Sequence, residues 1–382
     1  MKVLLINNFL NNTVGGVENY LETLVSYSEE HKTEIEFKWF GVVEKKTKIY
    51  QKFYNSQTTK AIINEIDSFK PDLIHCFSIG ATVTPHFMSY AKSKSIPIIQ
   101  SFRDYYYICA KAFMLDTSGN TLKHHDNFLD CILNHHPKQN IIFDSFLYFK
   151  QSYHAKIIKK NIDYFLTPSD NLTKLIKEKF KILGETIANP VLISNSFIEQ
   201  SDLTYLLFVG RLDPEKGVMT LLKSFKNILQ EFPQEQLKIV GSGSIESELQ
   251  DYVINNNINN VIFLGKKSQK ELVHLYASAK FTIVPSEFLE SYGNVILESF
   301  AFRKTVIISD LLGIEKEIRE SNSGLVFPHG NVLKLTESIK KLLTDTTLRN
   351  KMEENASVYI KELSFDNHYK KLELIYKKIL KK

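Results

Sequence analysis

Val284-Pro285-Ser286-Glu287-Phe288-Leu289-Glu290-Ser291-Tyr292-Gly293-Asn294-Val295-Ile296-Leu297-Glu298-Ser299 is the stretch on which the reading of this chain turns. A short apolar run, 281–284, stops at a proline, and a loop follows. From about Tyr292 apolar residues recur at helical spacing (Val295, Ile296, Leu297, Phe300). Glu290 lies in the loop, and seven residues separate it from Glu298. With a helix starting near Tyr292, Glu298 falls less than two turns in, at about 3.6 residues per turn. Both carboxylates can then face the carboxyl end of a strand, where open α/β sheets bind ligands. The helix start adds unpaired N–H groups and a positive dipole end, which suit a phosphate or sugar oxygen. Carboxylates placed there suit the hydroxyls of a sugar or a ribose, although a pair of glutamates taken alone is ordinarily solvated surface.

The whole string Pro-Ser-(x)-Glu-Ser-Tyr-Gly-(x)-Val-Ile-Leu-Glu-Ser-Phe resembles the signature of the retaining family-4 glycosyltransferases of the GT-B fold. Tyr292 and Ser299 are mild departures from that family's Phe and Ala. The resemblance implies an α/β architecture in which two Rossmann-like doubly wound domains face each other across a cleft.

Length and composition are compatible with this. A chain of 382 residues favours two domains, and an apolar fraction of 43% is ordinary for a soluble globular protein. The net charge of +5 comes from scattered Lys and Arg, so there is no electrostatic footprint for nucleic acid. Cys76, Cys109 and Cys131 are irregularly spaced and fit a reducing compartment better than a disulfide framework. The apolar run at 3–6 is too short for a signal peptide, and no stretch approaches the roughly 20 apolar residues of a membrane span. A cytoplasmic protein is expected.

The first half shows a βαβ rhythm. Residues 3–6 read as a buried strand, and Gly15-Gly16-Val17-Glu18 leads into a helical pattern. A strand, a glycine pair and a helix start let backbone approach a phosphate or sugar closely. The pattern also resembles the family's first loop, with Gly15 and Gly16 toward the donor and Glu18 toward the acceptor. Alternating segments at 35–43, 58–69, 73–76, 85–93 and 96–101 continue the rhythm. The last runs into Phe102-Arg103-Asp104-Tyr105. Many relatives carry His-Asp here, on the acceptor side, so the resemblance makes Arg103 and Asp104 acceptor residues. An arginine in that place makes forked bonds to phosphate or carboxylate and favours an anionic acceptor, unless a local acid pairs with it.

Residues 108–140 read as irregular, with a turn at Gly119-Asn120 and the pairs His124-His125 and His135-His136 around Cys131. Their spacing matches no standard metal site. A helix over 141–160 mixes aromatics with Lys150, Lys156, Lys159 and Lys160. Such a pattern either covers a sheet or lies on an anionic membrane surface, so a peripheral membrane association stays open. A strand at 164–166, a helix to about 180 and a strand at 191–193 complete a first domain, 1–200, with a linker at 199–202.

The second half repeats the rhythm over 201–365. A strand at 205–209 ends in Gly210-Arg211-Leu212-Asp213-Pro214-Glu215-Lys216-Gly217, and a helix follows. Two cations at a strand's end and before a helix are placed to grip a diphosphate, and the string is very similar to the family's donor-diphosphate motif. Strands at 237–240 and 261–264 each end in glycine, at Gly241 and Gly265, which resemble the walls of a nucleotide pocket. Further strands are expected at 305–309 and 324–327. Helical patterns fill 332–343, 348–362 and 367–382, and residues 366–382 are expected to cross back to the first domain, as in other GT-B enzymes.

The implied function is transfer of a sugar, with retention, from a nucleotide-diphosphate sugar to an acceptor hydroxyl. A role in bacterial cell-surface polysaccharide or glycoconjugate synthesis goes with it, the acceptor being a glycan, a lipid-linked species or a protein. The resemblance makes Arg211, Lys216 and Glu290 the catalytic groups. Ser291, Tyr292, Gly293 and Asn294 would line the donor, and Glu298 would hold its ribose. No Asp-x-Asp occurs in the chain, so neither a metal nor another cofactor is expected. An epimerase or a sugar phosphorylase on the same fold would need other catalytic groups, for which no motif is visible. A non-catalytic GT-B subunit that binds an acceptor or a partner is the alternative from another class.

Overall fold

A computed structural model of the protein describes residues 1–10, 16–43, 48–112, 114, 116, 128–134, 140–191 and 204–381. The chain forms two compact units, residues 1–188 with 366–382, and residues 189–365.

In the first unit the strands are β1 (Lys2–Phe9), β2 (Glu36–Val42), β3 (Leu73–Cys76), β4 (Ile98–Ser101), β5 (Tyr164–Thr167) and β6 (Gly184–Thr186). They pair in parallel in the order β2-β1-β3-β4-β5-β6. The helices are α1 (Gly16–Glu30), α2 (Ser56–Phe69), α3 (Phe87–Ser93), α4 (Phe128–Asn134), α5 (Ile141–Asn161) and α6 (Asp170–Phe180). Parallel strands covered on both faces are continuous apolar runs, and all four residues of β3 are buried. Chain order reverses between β1 and β3, which makes their carboxyl ends a ligand-binding position.

The second unit carries β7 (Tyr205–Val209), β8 (Leu237–Val240), β9 (Val261–Phe263), β10 (Ala279–Val284), β11 (Val306–Ser309) and β12 (Gly324–Phe327). Its helices are α7 (Val218–Leu229), α8 (Glu246–Asn255), α9 (Gln269–Ser278), α10 (Asn294–Ala301), α11 (Glu315–Ser321), α12 (Val332–Thr344) and α13 (Thr346–Glu362). The parallel order β12-β11-β10-β7-β8-β9 is the doubly wound Rossmann order. Its core joins Leu206, Phe208, Leu221, Phe225, Phe281 and Ile307 from strands and helix alike. The point where the order reverses lies between β7 and β10, so the loops that leave these two strands meet.

A final helix, α14 (Phe365–Leu380), belongs to the first unit from Asp366 on. It buries Tyr369, Leu372, Ile375, Tyr376 and Ile379. Polar contacts fix its register: Tyr376 Oη lies 2.6 Å from His75 Nδ1, and His368 Nε2 lies 2.8 Å from Tyr20 Oη. Tyr27 donates to Asp366 at 2.6 Å.

Among the described residues the last strand of the first sheet is β6, a strand the sequence reading does not include, and Ala188 is the last residue of the first unit before Asn189 opens the second. Gly-Glu-Thr has no apolar run to betray it; Gly184 is there because a Cβ would stand 2.4 Å from the Phe165 ring. The helix α4 was likewise read as irregular chain. Most of the strand expected at 191–193, the linker at 199–202, the turn at Gly119-Asn120 and both His pairs lie outside the described residues. Among the described residues no three His, Cys, Asp or Glu side chains group as a metal site, and no helix is long and apolar enough to cross a membrane.

Candidate functional site

The loop after β7 and the loop after β10 are locked together by a glycine. Gly217 has φ +68°, and a Cβ there would fall 1.9 Å from the carbonyl oxygen of Pro285. No other residue permits both the backbone angle and the approach. Glu287 N–H donates to Glu215 O at 2.8 Å, and Thr220 Oγ1 donates to the Glu287 carboxylate at 2.5 Å.

These contacts bring Lys216 to Glu290, Nζ to Oε1 at 2.8 Å, with side chains only 18% and 14% exposed. Ser286 Oγ donates to the same carboxylate oxygen, and the Lys216 ammonium lies 4.7 Å from the centre of the Phe288 ring. The loop around Glu290 is held as a short bridge: its N–H donates to Leu311 O at 3.0 Å and its carbonyl accepts from Gly313 N–H at 2.9 Å. Gly313 thus sets the height of the acidic loop.

Arg211 is 62% exposed and donates to Asp213 and, at 2.9 Å, to Glu215. Ser244 N–H and Oγ donate to Asp213 at 2.9 and 2.8 Å. Those bonds and the neighbouring cations hold its pKa below the usual carboxylate range. The structure therefore adds two acids, Asp213 and Glu215, beside Arg211. Asp213 and Glu215 stand in the quoted motif, two and four residues after Arg211; that spacing was the available signal.

Gly241 and Gly265 sit at the ends of β8 and β9. Gly241 has φ +139°, a Cβ on it would lie 1.7 Å from Gly210 O, and its N–H donates to Gly265 O at 2.9 Å. The glycine corners after β7, β8 and β9 are thus contiguous. Gly293, φ +110°, caps α10, which begins at Asn294 and not at Tyr292. Tyr292 is a core residue, 2% exposed. Asn294 is exposed and accepts from Asn189 at 2.8 Å; Ser291 is half-buried in the loop. Glu298, on the second turn of α10, accepts from Tyr276 Oη at 2.6 Å. Burial raises its pKa, and the tyrosine bond opposes that only in part.

The residues expected on the acceptor side, and the two glycines of the first loop expected toward the donor, belong to the first unit. Gly15 lies outside the described residues, and Gly16 is the exposed first residue of α1. Glu18 is buried and accepts from Asn7 Nδ2 at 2.6 Å. The Arg103 guanidinium lies 4.7 Å from the Tyr20 ring centre and 5.7 Å from that of Phe77. Burial lowers the Arg103 pKa and lifts that of Tyr20 to about 12. Asp104 is exposed and accepts from Tyr106 N–H at 2.9 Å.

Known proteins agree with this architecture. Residues 193–358 match the family described as Glycosyl transferases group 1. A glycosyltransferase of Methanocaldococcus jannaschii, MJ1178, is 24% identical over 371 residues, 96% of this chain and 95% of that one. Among solved structures, the sucrose-phosphate synthase of Thermosynechococcus elongatus superposes with a TM-score of 0.74 at 16% identity, covering 99% of this chain and 98% of that one. Anabaena HepE, solved in complex with UDP and glucose, gives 0.68 at 14% identity and 99% of both chains. Two doubly wound parallel sheets with these likenesses are the GT-B fold, and residues 193–358 carry the likeness to the glycosyl transferases of group 1.

Proposed function

We propose that the protein transfers a sugar, with retention, from a nucleotide-diphosphate donor bound on the second unit to an acceptor hydroxyl, without a metal. The observation that carries this is the Lys216–Glu290 pair, held at the β7–β10 switch point beside Arg211. Open α/β sheets bind nucleotides at such a point, and the presence of UDP and glucose in HepE supports the same ligand class. In this reading Arg211, itself exposed and paired with the half-buried Asp213 and Glu215, swings to the diphosphate, and Lys216 neutralises it as the anomeric C–O bond breaks. Glu290 accepts hydrogen bonds from the donor sugar's hydroxyls, Glu298 from the ribose, and the amides at the start of α10 face phosphate. The new bond forms from the acceptor oxygen, whose proton leaves with the departing phosphate. The acceptor belongs to the first unit, in a cell-surface glycan or glycoconjugate.

The test is nucleotide release from UDP-, GDP- and ADP-sugars, without acceptor and in EDTA, with Arg211→Ala alongside. Slow hydrolysis of one donor, lost in the variant, supports the reading. Neither hydrolysis nor nucleotide binding across the panel would leave a binding subunit as the better description.

A further inference from the structure

The carboxyl ends of β1, β3 and β4 surround a cavity of about 230 Å³ in the first unit, lined among others by Asn8, Gln100, Arg103, Tyr106 and Lys150. That is below the roughly 300 Å³ at which drug-sized sites begin, so it suits one monosaccharide-sized group. Its shape is imposed: Asn8 Oδ1 accepts from the N–H groups of Ala81, Thr82 and Val83 at 3.3, 3.1 and 3.0 Å, and Gly80 turns the chain at φ +102°.

Among the described residues, three polar groups of this wall have no hydrogen-bond partner. Lys150 is 7% exposed, and its ammonium makes a contact only with the Tyr106 ring, 5.1 Å to the centre; no carboxylate of a described residue pairs with it. Gln100 is fully buried, and its amide N–H₂ donates to Phe77 O at 2.7 Å and Ser101 O at 2.9 Å. Both partners are carbonyls, which fixes the amide's orientation and leaves Oε1 without a donor. Tyr106 Oη is buried without a partner as well. A buried cation and a buried acceptor each cost free energy unless something binds them. A ligand that satisfies both carries an anionic group and a hydroxyl.

We propose that this cavity holds an acceptor sugar bearing a phosphate or carboxylate, with the anion between Lys150 and Arg103 and a sugar hydroxyl donating to Gln100 Oε1. The assignment of the ligand as acceptor rests on the glycosyltransferase reading. Asp104 at the rim, the one carboxylate in the wall, is occupied by Tyr106 N–H. Burial and the charge of Lys52 lower the Lys150 pKa to about 8, so an arriving anion also restores its full charge near neutrality.

Calorimetric titration of the full chain, without nucleotide sugar, with glucose 6-phosphate, glucuronate and glucose tests this. One anionic sugar is expected to bind about tenfold tighter than glucose, as hydrogen bonds to a charged group allow, and which one it is separates phosphate from carboxylate. Lys150→Met should abolish the preference and Lys150→Arg keep most of it. On the wild-type protein, the preferred sugar should protect Lys150 from reductive methylation, a readout that needs no variant to fold. Equal binding of all three sugars, a preference that survives Lys150→Met, or no protection overturns the proposal. Absence of donor turnover would instead strike the glycosyltransferase reading and leave these binding results standing.

Discussion

Lys216 and Glu290 neutralise each other in a half-buried place, and that pairing is as informative as either charge alone. Truncating one leaves the other with Ser286 or Phe288 for company, which is costly for a poorly solvated ion. Lys216→Ala is expected to cut donor turnover about 10²- to 10³-fold, the scale for losing one preorganised charge stabiliser. Steady-state nucleotide release measures it; an unchanged kcat would remove Lys216 from the chemistry. Glu298 gives a pH signature. Because its folded pKa is raised, the proton is held more tightly in the folded state, and the carboxylate is lost as pH falls through a value above the ordinary Glu range. Nucleotide affinity should therefore weaken in mild acid, where an unperturbed Glu would still be ionised. In Glu298→Gln that part of the profile should be flat, which titration of nucleotide across pH would reveal.

Loops tied by one close approach respond to a single methyl group. Gly217→Ala forces a Cβ into Pro285 O and a left-handed residue out of its well, and should destabilise the second unit by about 2–3 kcal/mol, read as a shifted denaturant midpoint. In the first unit, Tyr376→Phe removes the hydrogen bond to His75 Nδ1, a buried group. Leaving it unsatisfied should cost about 1–3 kcal/mol in urea unfolding. Elements such as these were legible to different degrees. A continuous apolar run announced β7 to the residue, because buried parallel strands have no polar face, and β3 and β8 were legible to the residue although each carries one polar side chain, His75 and Lys238. β6 was illegible, since three residues on a sheet edge carry no period. The two loops of the candidate site could be read from their motifs, yet their partners could not. Nothing in the order of residues says that Glu287 turns to Thr220, or that Tyr292 is a core residue. Lys150 was the hardest: on α5, where lysines and aromatics are interleaved, only the packed helix reveals which lysine turns inward.

At the scale of the molecule, the proposed function puts the nucleotide on the second unit and the acceptor on the first, so the two units should report separately. Nucleotide binding to the native state stabilises what it touches by about 2.7 kcal/mol at a hundredfold excess over Kd. Hydrogen exchange with nucleotide present should slow at 210–217 and 285–298 and not at 78–103; protection centred on the first unit would place the nucleotide elsewhere. The return of α14 has a consequence for biosynthesis. The first unit needs Tyr376 to cover His75 and Tyr369 to reach Thr33, yet the 177 residues of the second unit, Asn189–Phe365, separate Ala188 from Asp366. At about 5–20 residues per second on the ribosome, the amino-terminal sheet waits roughly 10–40 s for its last piece. Through that interval the nascent chain shows the apolar groove that α14 will fill, which makes it a natural client for trigger-type chaperones and makes a ribosome stalled in the second unit a source of sticky, half-finished product.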